Sequence, residues 1–217
     1  MDKIKLPISC TAAGYVKCDE SGKVSLAILN KIRKQFDLSP RSPRSQRLCM
    51  AAMEEMFQRF PDVKAAINER TGLIYSSLLG PQGMISKFQD DLLDYPEDQA
   101  MAGAFASSVH NAPAGGISVA YGLTGPYFSL TGTEDLFAES LRAAASLLSG
   151  KFCDSVLLVI GEEQTALADA LRKARPELPQ ESAAAFFLQS GDGTQFDTCS
   201  PVDYLSFAEK ILEKYNV

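Results

Sequence analysis

A chain of 217 residues, 46% hydrophobic and 22% charged, has enough material for one domain, 1–217, with a sizeable core. A net charge of −6, with no basic tail or zinc-finger spacing, argues against nucleic acid, and no apolar run is long enough to span a membrane. The cysteines (Cys10, Cys18, Cys49, Cys153 and Cys199) are odd in number, scattered and without metal spacing. They read as unpaired thiols of a reducing cytoplasm, with no metal or other cofactor expected. The opening MDKIKLPISC sets an acid beside its lysines and does not read as a secretory signal.

Residues 4–10, IKLPISC, predict a first strand. In 24–36, Leu26, Leu29, Ile32 and Phe36 fall at helical spacing. The proline-bearing run DLSPRSPRSQR predicts a loop, and its Arg41, Arg44 and Arg47 form a small basic spot. A helix of good helix formers follows, with Ser45 as its N-cap. TGLIYSSLLG (71–80) predicts a buried strand. The only histidine, His110, precedes an Asn111–Tyr121 segment whose small residues suit a helix packed closely on other backbone. An isolated histidine in such a place is more often structural than catalytic.

YFSL (127–130), TGT (131–133) and a helix over 134–149 ended by Gly150 read as strand, tight turn and helix. This is the geometry of a nucleophile elbow, where the helix N-terminus stabilises a thiolate or an oxyanion. Glu134 and Asp135 stand at the turn instead of a cysteine or serine. Thr131 and Glu134 also match a capping box, and acids suit a first helical turn, so a structural role competes with a role in a pocket. DSVLLVIGEE (154–163) predicts a central strand buried on both faces. SAAAFFLQSGDG predicts a strand with a turn after it. A last helix presents Leu205, Ala208, Ile211, Leu212 and Tyr215 to the core. Strands alternating with helices give an α/β class with a mostly parallel sheet.

The run from SVHNAPAGGISVAYGLTGP through GTEDLF to AAASLLSGKFCDSVLLVIGEE resembles the N-terminal half of β-ketoacyl-acyl-carrier-protein synthases, over about Ser45 to Ser190. The resemblance implies a thiolase-like half-fold: a mixed five-stranded sheet flanked by helices, in the order 3-2-1-4-5 with the last strand antiparallel. Counted from Gly125-Pro126, the position of that family's active-site cysteine falls on Glu134. The two histidines and the lysine that the family draws from its C-terminal half have no counterpart here. SVHNAPAG and GTEDLF are similar to short ketosynthase-like proteins of aryl polyene type II polyketide systems, which implies a chain-length-factor-like, non-catalytic subunit.

Such a subunit has a full-length ketosynthase as partner, or associates with itself. Its expected interface is Tyr127, Phe128, Ser129 and Leu130 together with the helix from Asn111 to Tyr121. The elbow helix, lacking its second half, is expected to expose apolar surface. Acyl carrier protein, an acidic partner, is expected at Arg41, Arg44 and Arg47, for which a solvated loop is the plainer reading. The competing function is an enzyme with altered chemistry on carrier-bound acyl groups, malonyl decarboxylation for example, using Glu134 as base with His110.

Overall fold

The computed structural model describes residues 3–96, 102–132, 135–197 and 203–217. A five-stranded sheet runs in the order β1-β5-β4-β2-β3, comprising β1 (Lys3–Lys17), β2 (Thr71–Ser77), β3 (Tyr127–Thr131), β4 (Ser155–Glu162) and β5 (Ser182–Asp197). β3, β2 and β4 are parallel, and β5 runs antiparallel to both of its neighbours, β4 and β1.

The VLLVIG strand stands at the centre and is buried along its whole length, as its unbroken apolar run predicts. The expected order places the first strand centrally, whereas β1 lies at an edge. β1 has 15 residues and β5 has 16, and they pair antiparallel almost end to end. β1 continues well past the predicted 4–10, and β5 continues through Ser190–Gly193, where a turn was expected.

Two helical layers cover the sheet. On one face α7 (Leu136–Ser149) and α9 (Asp203–Tyr215) pack against Ile74, Leu158 and Phe186. Phe137, Phe186 and Phe207 form a ring cluster there, with centroids 5.4–5.8 Å apart. On the other face α1 (Leu26–Gln35), α2 (Arg44–Arg59) and α6 (Ala112–Tyr121) enclose Leu73, Tyr75, Leu157 and Phe187. α2 crosses so close to β1 that a side chain on Gly14 would begin 2.6 Å from the Ala52 carbonyl oxygen, so only glycine fits there. α3 (Pro61–Ala66) and α8 (Ala166–Ala174) are short connections. α4 (Gln82–Asp94) and α5 (Ala102–Ser108) form a helical pair that the sequence reading did not assign, joined by a Phe88–Phe105 ring contact at 5.4 Å.

Several local expectations change. Leu26 is 63% exposed, because the burying stripe of α1 is Leu29 and Ile32 alone. α2 begins two residues earlier than a Ser45 cap allows. Its N-cap is Pro43, and the Ser45 N–H is bound elsewhere, by Glu163 Oε2 at 3.0 Å. In α9, Ala208, Ile211 and Leu212 are buried as expected, Tyr215 is exposed, and the unassigned Tyr204 and Phe207 fill the core.

α7 carries the most consequential correction. Its inner face is buried, but its outer face is Glu139, Arg142, Ser146 and Ser149, all exposed, with Arg142 paired to Glu139. The elbow helix exposes polar surface where apolar surface was expected. No helix among the described residues is long and apolar enough to cross a membrane.

Candidate functional site

Parallel strands deliver their C-terminal ends to one edge of the sheet, the usual place for a site in such a fold. Here Ser77, ending β2, pairs in register with Thr131, ending β3, and β4 ends beside them at Glu162. β3 then turns through Gly132, at φ +82, toward α7. Thr133 and Glu134, the turn itself, lie outside the described residues, and so does the capping-box partner of Thr131. Asp135 is the N-cap residue of α7; it is exposed and makes no side-chain cap bond. Beneath the elbow, Ser76 and Ser140 share a buried hydroxyl contact at 2.6 Å, and Ser140 also donates to the Leu136 carbonyl at 2.6 Å. This fastens the start of α7 to β2.

The polar groups packed here are ones the sequence reading passed over. Glu162 is 5% exposed. It accepts a hydrogen bond from the Leu78 N–H at 2.5 Å and one from the Ser77 hydroxyl at 3.1 Å. Ser77 Oγ in turn accepts from the Gly80 N–H at 2.9 Å. Gly80 sits at φ +69, and the imidazole of His110 occupies the space a side chain there would need. His110 is exposed, directly ahead of α6, whose N-cap residue is Asn111.

Glu163, 4% exposed, holds two helix starts together, accepting from Gly83 N–H at 2.5 Å and Ser45 N–H at 3.0 Å. The only sequence signal for this pair was an acidic doublet closing a wholly apolar strand. Burial pushes the Glu162 carboxyl up to about 7, against the hydrogen bonds that favour its charge, and raises Glu163 as well.

This makes stability depend on pH with a defined sign. A carboxyl raised from 4.5 to about 7 stabilises the fold fully below 4.5, and that stability is lost as the pH rises through about 7. Glu162→Gln is expected to abolish this loss, so that the stabilities of wild type and variant diverge by on the order of 3 kcal/mol between acidic and mildly alkaline buffer. Parallel curves across that range would refute the assignment.

The three arginines of the basic spot have different fates. Arg44 is bound bidentately by Glu181, at 2.6 and 2.7 Å. Arg47 is half-buried; burial, reinforced by the neighbouring Arg44, lowers its pKa, and its Nε is enclosed without a partner among the described residues. Arg41 is exposed.

The expected interface residues also divide. Tyr127 and Phe128 are 46% and 47% exposed on the edge strand β3, whose only pairing among the described residues is to β2. Ser129 and Leu130 are half-buried. Tyr121 turns inward, its ring 4.9 Å from Phe36 and its hydroxyl donating to Glu54 at 3.0 Å. Among the described residues no cluster of three or more His, Cys, Asp or Glu could hold a metal.

Comparisons with known proteins agree with this architecture. Residues 90–213 match the family model described as the N-terminal domain of β-ketoacyl synthase. No curated protein matches. Among solved structures, the ishigamide ketosynthase/chain length factor superposes with a TM-score of 0.65 at 15% identity, over 84% of this chain and 62% of that one. The ketosynthase ApeO in complex with its chain length factor ApeC from Xenorhabdus doucetiae gives 0.59 at 18% identity, over 86% and 80%. AntDE:AntF, a type II polyketide synthase acyl-carrier protein in complex with its ketosynthase bound to the hexaketide, gives 0.65 at 14%, over 86% and 64%. The chain thus spans 62% of the first of these relatives, and at such identities the likeness is one of fold.

Proposed function

The chain belongs to the β-ketoacyl synthase N-terminal domain family, and on that premise we propose that it is a non-catalytic, chain-length-factor-like partner of a complete ketosynthase. The observation that carries this reading is where its apolar surface lies. The outer face of α7 is charged and hydroxylated, and a second sheet seated on it would have to desolvate Glu139 and Arg142. Exposed large apolar side chains stand on four elements that pack in succession, Tyr127 and Phe128 on the β3 edge, Val119 on α6, Phe105 on α5 and Leu92 and Leu93 on α4, while Leu26, Ile28, Phe152 and Leu167 are exposed elsewhere. Val119 and Leu93 are each 84% exposed. An unpaired strand edge next to such side chains is a template for another chain.

Two of the similar structures are, in their own descriptions, a ketosynthase with a chain length factor, and one includes an acyl-carrier protein. An acyl carrier protein is the further partner of this proposal, with Arg41 the exposed member of the basic spot. An aryl polyene-type pathway is the context that the SVHNAPAG and GTEDLF motifs favour.

The test is co-expression of the tagged chain with the complete ketosynthase of its own gene neighbourhood, followed by a condensation assay. The expected results are a stable complex, condensation only with the partner present, and no condensation by the isolated chain even as Glu134→Cys. That cysteine would gain a helix N-terminus but not the two histidines that the resembled family draws from its C-terminal half. Turnover of malonyl-carrier protein by the isolated wild-type chain, lost in Glu134→Gln, would establish the enzymatic reading instead.

A further inference from the structure

The charge of this chain is unevenly placed. Residues 23–47 hold seven of its 21 lysines and arginines and one of its 27 aspartates and glutamates, a net +6, so that the remaining residues together carry −12. The structure holds this segment together. α1 and α2 lie against each other, and burial, then the neighbouring charges of Arg44 and Arg33, lowers the pKa of Arg47, so the two helices present one positive field.

Ser25 caps α1, accepting from the Ala27 N–H at 3.3 Å, and the first helical residue after it, Leu26, is 63% exposed. Ile28 is 42% exposed. Ala27, Asn30, Lys31 and Lys34 are exposed with them, as is Lys23 ahead of the helix. Lys23, Lys31 and Lys34 enter no ion pair among the described residues. Arg33 and Lys34, in the last turn, suit the helix dipole, but Lys23, Lys31 and Leu26 have no such local reason to be there. α1 thus buries Leu29 and Ile32 against the body and turns lysines with two apolar side chains to the outside.

We propose that α1 is a docking surface for an anionic lipid bilayer, with Lys23, Lys31 and Lys34 against acidic headgroups and Leu26 entering the hydrocarbon boundary. Charge alone would serve any polyanion. The exposed leucine and isoleucine among the lysines favour a surface with an apolar layer beneath its charge. A protein partner seats anchor side chains in a recess. The recess beside Ile28, ≈ 150 Å³, is walled by Glu54 and Glu55, which repel an acidic chain. The attachment does not depend on a ketosynthase partner, whose proposed contacts lie on other elements.

The test is flotation of the isolated chain on vesicles of phosphatidylcholine alone or mixed equally with phosphatidylglycerol, with heparin as a polyanion that has no apolar layer. The mixed vesicles are expected to hold the chain on the order of tenfold or more tightly than phosphatidylcholine, and to release it in concentrated salt. Lys31→Gln with Lys34→Gln is expected to undo that preference at an unchanged melting temperature, since each lysine near an anionic surface is worth roughly fivefold. The chain has no tryptophan, so Leu26→Trp reports on this position alone. Its emission is expected to shift to the blue on the mixed vesicles and to stay unchanged on heparin. The proposal is overturned if the mixed vesicles hold no more chain than phosphatidylcholine, if the double lysine variant floats as wild type does, or if the tryptophan emission stays unmoved on vesicles that hold the chain. Heparin binding without flotation would assign the patch to an acidic protein or a nucleic acid, and equally overturns the bilayer.

Discussion

A tagged chain carrying Phe128→Asp is expected to retain no ketosynthase on an affinity column, where the wild-type chain retains it. Phe128 pairs in register with Ile74 of β2, and on its other flank β3 has no strand among the described residues. The ring is 47% exposed and Tyr127 beside it is 46% exposed. If a partner strand adds to this edge, both side chains enter the new interface and together dominate its apolar content. An aspartate placed there is buried without a partner, at a cost of several kcal/mol, enough to move a tight complex out of the range a column retains. The same substitution costs the free chain little, since the position is already half solvated. Far-ultraviolet circular dichroism and the melting temperature of Phe128→Asp are therefore expected to match wild type. Full retention of the ketosynthase by this variant would remove β3 from the interface. A charge on the outer face of α7, Ser146→Asp, is the matched control and is expected to leave retention intact.

The sequence made some of this architecture visible and hid the rest for identifiable reasons. β4 was legible because a strand buried on both faces admits nothing but apolar residues, and α7 because its buried face repeats at helical spacing. The order of the strands was not legible from local pattern, since β1 pairs with β5, a strand more than 160 residues away. The outer face of α7 was written plainly in Glu139, Arg142 and Ser146. Leu26 and Tyr215 satisfied a helical spacing but stand at or near helix ends, where curvature of the surface leaves an apolar side chain exposed. Glu162 and Glu163 carried almost no signal, because a buried carboxylate is set by backbone N–H groups brought to it from Leu78, Gly83 and Ser45, and those contacts exist only in three dimensions. The arginines show the same limit. Three equivalent charges in sequence became one exposed group, one half-buried group and one locked ion pair.

That ion pair supports the largest stability effect expected of any single substitution here. The Glu181 side chain is fully buried, and Arg44 beside it keeps 20% of its own exposure. Arg44 donates to both carboxylate oxygens and to the Val24 carbonyl at 3.0 Å, while Glu181 also accepts from the Val24 N–H at 2.5 Å and the Gln164 N–H at 3.0 Å. One carboxylate thus joins the start of α2, the approach to α1 and the residues after β4. Burial is the largest single influence and would raise its pKa, but the Arg44 fork together with the Gln164 and Val24 N–H groups outweighs it and holds the carboxyl below its usual value. The stability it contributes is accordingly present above the ordinary value of 4.5 and lost as the pH falls through the depressed native value. Arg44→Ala leaves the charge buried with two backbone donors, and is expected to cost about 3–5 kcal/mol in urea unfolding at neutral pH. Burial then governs, so Glu181 in the variant takes up a proton more readily, and the deficit is expected to shrink as the pH is lowered. Arg44→Lys recovers only part of the loss, since an ammonium offers no planar fork. Arg44→Met combined with Glu181→Gln is expected to be more stable than Arg44→Ala alone, because no uncompensated charge remains. A loss below about 1 kcal/mol for Arg44→Ala, the range of a surface ion pair, would return Arg44 to the solvent-facing spot and to the carrier-protein contact.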